Sequence, residues 1–128
     1  MGITVQWDND EKTIVLVTFD AVWTWDDLRA VDEYAIPLYD SSEHIVDVIA
    51  DLRHSHLVMT GILSYMRELL TMQWHPRAGN VVVVGASLSV RTLMEAAALV
   101  TRRPLARISF AQTIDEARLT LRNRRAKR

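Results

Sequence analysis

Between Asp47 and Gly61 the chain crowds together two carboxylates, two imidazoles and a threonine that precedes a glycine: Asp47, Asp51, His54, His56 and Thr60. Each type suggests a chemistry. Paired carboxylates can share a proton or flank a scissile bond. Asp47 and Asp51, however, lie four apart on one strand face, roughly 13 Å, too far for either task. Asp47 therefore reads as surface charge and Asp51 as a hydrogen-bond acceptor facing a loop. His54 and His56 can turn the same way on an extended loop and offer a metal two nitrogens. A site needs more ligands than that pair supplies, so no metal is expected. Thr60 can cap a helix by accepting from the amide of Ile62 or Leu63. The same free amides would receive a phosphate on its hydroxyl. The loop Gly85-Ala-Ser-Leu-Ser89 has a single glycine and lacks the spacings of phosphate-binding loops. It reads as a plain turn capped by Ser87 or Ser89. No G-x-S-x-G elbow occurs, and the absence of cysteine removes thiol catalysis, disulfides and thiolate metal sites.

The elements that must position these residues follow from periodicity. Ile45 to Leu52 alternates Val46, Val48, Ala50 and Leu52 on one face with Ile45, Asp47, Ile49 and Asp51 on the other, the pattern of a strand. Asp51 then sits near its C-terminal end, where open α/β sheets carry their sites. Ile3, Val5 and Trp7 form an alternating edge strand. Asp8-Asn-Asp10 is turn chemistry, and Thr13 to Phe19 is apolar on both faces, as in a central strand. Thr24 with Asp27 makes a capping box, with Trp23 and Leu28 as the staple. Leu28, Val31, Ala35 and Leu38 continue a helix that Pro37 should kink or end. Ile62, Met66 and Leu69, with Leu63, Leu70 and Trp74, make a helix face. Val81 to Val84 reads as a strand buried on both faces. Val90, Leu93, Met94, Ala97 and Val100 mark a helix that ends before Pro104. Ala106 to Phe110 is a short strand, and Thr113 with Glu116 boxes a last helix. The order ββαβαβαβα implies an α/β fold: a mixed, mainly parallel five-stranded sheet with about four helices.

The chain has 128 residues, the size of one domain, half of it apolar and a quarter charged. The N-terminal residues have neither the basic nor the apolar region of a signal peptide. No apolar run approaches the roughly 18 residues of a membrane span. A cytoplasmic protein is expected. Net charge is −1, unevenly spread: residues 1–60 hold twelve acids against three bases, a net of −9, and residues 61–128 hold twelve bases against four acids, a net of +8. Either the two halves form opposed patches or they interleave and cancel. Residues 122–128 read as a basic tail that frays. It lacks interleaved aromatics and any recognition motif, so nucleic acid is not an expected partner. Trp7, Trp23, Trp25 and Trp74 can anchor a core or line a pocket for an apolar or lipid-like ligand. Trp23 and Trp25 are two apart, so one of them is a candidate exposed contact.

Thr24-Trp-Asp-Asp-Leu28, Val48-Ile-Ala-Asp-Leu-Arg53, Val81-Val-Val-Val-Gly85 and Ile108-Ser-Phe-Ala-Gln-Thr-Ile-Asp-Glu-Ala117, in this order and spacing, resemble the STAS domains, and among them the stand-alone SpoIIAA-like branch. The resemblance spans most of the chain. It implies a non-enzymatic regulatory module without cofactor that acts through protein or ligand contacts, a homodimer being one of the possible assemblies. Sporulation-type members carry an Asp-Ser-Ser-Gly-like turn whose first serine is phosphorylated. Here Met59-Thr60-Gly61 occupies that turn. Thr60 stands at the phosphoacceptor position, Met59 replaces the acid, and one serine is missing. Asp51, His54, His56, Met59 and Gly61 are the expected interaction surface around it.

Overall fold

The computed structural model describes residues 2–55, 75–101 and 107–127. Strands β1 (Ile3–Trp7), β2 (Ile14–Phe19), β3 (Val46–Asp51), β4 (Ala78–Val84) and β5 (Ile108–Ala111) form one sheet in the order β1-β2-β3-β4-β5. β1 and β2 are an antiparallel hairpin, and β2 to β5 run parallel. The hairpin turn is closed by Asn9, whose side chain accepts from the amides of Thr13 and Ile14 and donates to the Thr13 hydroxyl. Val81 to Val84 lies in the interior of the sheet, as its unbroken β-branched run predicts. β4 begins earlier than that run, at Ala78, and takes up the extra length in an irregular register opposite Val46 to Val48.

Helices α1 (Trp25–Arg29), α2 (Val31–Asp40), α3 (Leu88–Thr101) and α4 (Ile114–Ala126) complete the described elements. They amount to three helical bodies, because α1 and α2 are one expected helix broken at Ala30. The fourth expected body, opening at Thr60-Gly61, lies outside the described residues. The Thr24–Asp27 capping box closes in both directions. At α4 the second box shifts by one residue: Thr113 accepts from the amide of Glu116, while the Glu116 carboxylate accepts from Gln112. Pro37 does not end α2, which runs on to Asp40 and closes where the amide of Ser41 donates to the Pro37 carbonyl.

Strand alternation divides the core between the two faces. Val15, Val17, Phe19 and Val46 pack with Trp23 and with Val31, Leu38 and Tyr39 of α2. Ile14, Ile49, Val82 and Val84 pack on the other face under Ala117 and Leu121 of α4. Tyr39 also stacks against His75, and burial together with the charge of Asp32 pushes its hydroxyl up to about 12, so it stays neutral.

Two features differ from the sequence reading. Asp47 is not surface charge: it is fully buried, facing α4, because the face it shares with Ile49 is covered. Its carboxylate accepts from the amide of Asn80 at 2.9 Å and from Arg125 at 3.4 Å. Arg125 also donates to the carbonyls of Ile45 (2.7 Å) and Thr13 (3.3 Å). Residues 122–126 are therefore helix anchored to the starts of two strands, not a fraying tail. His44 and His75 also make defined contacts: His44 Nε2 donates to the Lys12 carbonyl, and His75 bonds Asp40 at 2.8 Å.

Removing Arg125 leaves a buried carboxylate without its cation. Arg125→Ala should cost about 2–3 kcal/mol in urea unfolding, less than the roughly 3–5 kcal/mol of a fully buried pair because the arginine is one-third exposed. Adding Asp47→Asn, which keeps the acceptor for Asn80 and removes the charge, should recover part of that loss.

Candidate functional site

The C-terminal ends of the parallel strands bring four loops to one edge: residues 20–24, 52–55, 85–87 and 112–113. Asp51 closes β3 there. Its Oδ1 accepts from the amide of Arg53 (3.1 Å) and from Nε (2.9 Å), and its Oδ2 accepts from Nη2 (3.0 Å). Asp51 is buried while the Arg53 side chain remains half-exposed, so the pair turns its cationic side to solvent. Burial by itself raises the Asp51 carboxyl, but the hydrogen bonds and charge of Arg53, helped by His54, outweigh it and hold it below its usual value. The loop-facing acceptor expected at Asp51 is thus present, with its donor two residues away.

The neighbouring loop is fitted to this pair. Gly85 has φ +77°, a conformation that favours glycine. A Cβ on it would come within 2.7 Å of Arg53 Cγ and 2.9 Å of its Cα. The single glycine of the Gly85–Ser89 loop is therefore explained by close approach to Arg53. Ser87 accepts from the amide of Val90 and caps α3.

On the other side, Trp23 is buried and donates its indole N–H to Ser55 Oγ, tying the 20–24 loop to the 52–55 loop. Phe19, Trp23 and Trp25 stack edge to face at 5.2 and 5.0 Å. Neither Trp23 nor Trp25 is an exposed contact. Thr24 between them changes the backbone from extended to helical, and this lets both turn inward. Trp25 reaches both the Trp23 cluster and the Val90–Met94 cluster under α3, and Trp7 packs with the former. Trp74 lies outside the described residues.

Of the expected interaction surface, Asp51 and His54 share this edge, and His54 is exposed. His56, Met59, Thr60 and Gly61 lie outside the described residues. Among the described residues, no three His, Asp or Glu side chains converge on a metal position, and no helix is long and apolar enough to cross a membrane.

Two apolar side chains at this edge escaped the sequence reading. Val22 and Leu88 are each 80% exposed. Val22 follows β2 and Leu88 opens the helix after β4, so in the order of the sheet they stand on either side of the loop after β3. A signal was available for Leu88, since it stands off the Val90–Leu93–Met94–Ala97 stripe. Arg53 was legible as part of Asp-Leu-Arg but not as the partner of Asp51. The fold and this edge define an α/β protein with a mostly parallel five-stranded sheet, polar and apolar by turns at its C-terminal rim. Comparison of the sequence with protein-family models and with curated proteins finds no match in either.

Two outcomes test the edge. Gly85→Ala should lower stability by more than about 1 kcal/mol, from the positive φ and the clash with Arg53. The stability that Asp51 supplies is complete above the ordinary carboxylate pKa of about 4 and is lost as pH falls through its lower folded value. Asp51→Asn should therefore be less stable than the wild type at pH 7, and the gap should close in acid, as read by denaturation at a series of pH values.

Proposed function

We propose that this protein is a non-enzymatic interaction module of the STAS, SpoIIAA-like kind, which engages a protein partner through the C-terminal rim of its sheet. The observation that carries this reading is the exposure of Val22 and Leu88 on either side of the Arg53–His54 loop. Exposed apolar side chains beside a cation and an imidazole match the make-up of a recognition patch, with an apolar centre and polar groups that fix orientation. The ionisable side chains around it serve the fold. Asp51, for one, is engaged by Arg53.

The βα order and the quoted motifs support the family reading. Within that reading Thr60 is the phosphoacceptor position, and Met59 in place of the acid favours constitutive contact over a phosphoswitch. Thr60 then acts as a helix cap. Peptide mass spectrometry on protein from its native cells should find the Thr60 peptide well covered and unmodified under several growth conditions.

The binding reading is tested by affinity capture from native lysate with three baits: the wild type, Val22→Asp with Leu88→Asp, and Arg122→Glu on the far helix. Both sets of changes lie on exposed positions, so the fold should survive, as checked by thermal melting. The same proteins should be retained by the wild type and Arg122→Glu and lost from the Val22/Leu88 variant. Retention by all three baits would discard the rim as the contact surface.

A further inference from the structure

β1 lies at one end of the sheet. Its antiparallel register to β2 runs unbroken from Ile3 opposite Phe19 to Trp7 opposite Val15. Along such a ladder the residues that exchange hydrogen bonds alternate. The amide of Asp20 donates to the Gly2 carbonyl and the amide of Asp8 to the Ile14 carbonyl, so Gly2, Thr4, Gln6 and Asp8 are the residues turned to β2. The N–H and C=O groups of Ile3, Val5 and Trp7 therefore point away from the sheet. They have no partner among the described residues.

Folded chains blunt such an edge with charge, proline or a bulge. β1 has none of these: Ile3-Thr-Val-Gln-Trp7 is uncharged and its register is regular. The helix above it is arranged alike. α2 packs over β1 and turns Tyr39 and Asp40 toward His75, on the β4 side. At about 3.6 residues per turn, Asp32 falls on that same flank and Glu33 on the outward side, while Ala30, Tyr34 and Ser41 fall on the flank above β1. Tyr34 is 50% exposed. The acids of α2 are thus kept off this edge, although residues 1–60 carry a net charge of −9. The opposite edge differs. β5 spans only Ile108–Ala111, with exposed Arg107 before it and Arg91 lying 4.8 Å over the ring of Phe110. β5 has charges that deter pairing, and β1 does not.

We infer that two copies of this chain pair β1 to β1, antiparallel, about a two-fold axis at Val5. The occupant is a second copy because the edge complements itself. The axis sets Val5 of one copy opposite Val5 of the other and Ile3 opposite Trp7, and every outward N–H then meets an outward C=O. The complementarity is one of partial charges, and no full charge of β1 or of the facing flank of α2 opposes it. On the face that carries α4, exposed Thr4 of each copy stands opposite exposed Gln6 of the other. On the other face the two α2 helices approach flank to flank, each bringing its Tyr34. The half-turn inverts one copy, so the two rims with Val22 and Leu88 point to opposite ends of one continuous sheet. The pairing is independent of what either rim binds.

The test uses the whole chain in about 150 mM salt, where the screening length is about 8 Å. Sedimentation velocity from low to high micromolar protein should show the wild type passing from monomer to dimer, with nothing larger. Two variants change only exposed positions: Thr4→Lys with Gln6→Lys, and Thr4→Glu with Gln6→Glu. Each sets like charges directly opposite one another across the seam and should stay monomeric. Their equimolar mixture should regain the dimer, because each lysine then faces a glutamate. Val5→Pro removes an outward N–H and no bond to β2, and it should also be monomeric. Circular dichroism and thermal melting check that the variants are folded. Amide exchange reads the seam directly: the Val5 N–H should be protected in the wild-type dimer and lose that protection in the lysine variant. A wild type that stays monomeric overturns the inference, and so does growth past a dimer. A dimer that persists in either charge variant or in folded Val5→Pro overturns the seam, as does a wild-type dimer with an unprotected Val5 amide. A mixture that stays monomeric overturns the antiparallel register.

Discussion

Asp47 places a carboxylate in a layer closed to solvent. It sits on the covered face of β3 beside Ile49, and an ionised carboxylate there is costly unless donors surround it. The donors come from both sides: the amide of Asn80 from the irregular start of β4, and the guanidinium of Arg125 from α4. Arg125 cannot reach Asp47 without also crossing the carbonyls of Thr13 and Ile45. One cation thus fixes the tilt of α4 across the sheet and joins the starts of β2 and β3. The position of Ala117 and Leu121 over Ile14, Ile49 and Val82 then follows, and so does the closed core on that face.

The opposite end of the same strand uses the other available arrangement. Asp51 finds its cation two residues ahead in its own loop, with no helix involved. The pair holds the rim by local geometry, and Gly85 gives up its side chain to let the loop pass. One strand therefore ends in a long-range clamp at its start and a short-range clamp at its finish. The first orders the fold, and the second shapes a surface.

Much of the fold was legible in the sequence because it was written in periodicity. Alternation located β1 and β3, runs apolar on both faces located β2 and β4, and the Thr24–Asp27 box marked a helix start. What periodicity could not convey was which charges are inside. An aspartate on the mixed face of β3 looks the same whether that face meets water or α4. Only the return of a helix more than sixty residues later decides it. Arg125 was misread for the same reason, as part of a basic tail. Pro37 lacks one donor, which allows either a kink or an end; the helix runs on to Asp40, because the loss of a single bond is tolerated near the last turn. Of the candidate site, Asp51 and His54 could be named in advance. Val22 and Leu88 could not, because exposure is a property of the assembled rim.

The separation between Asp47 and Arg125, 78 residues along the chain, bears on synthesis. At roughly 5–20 residues per second, a ribosome makes Asp47 about 4–16 seconds before it makes Arg125. During that interval β1 to β3 can pair, since their contacts are local, but the carboxylate in their midst has no guanidinium to meet. The nascent sheet must keep that face wet or hold it open until α4 arrives. Closure of the core is thereby deferred until α4 has been made, and the growing chain is held back from sealing early around an unfinished interior.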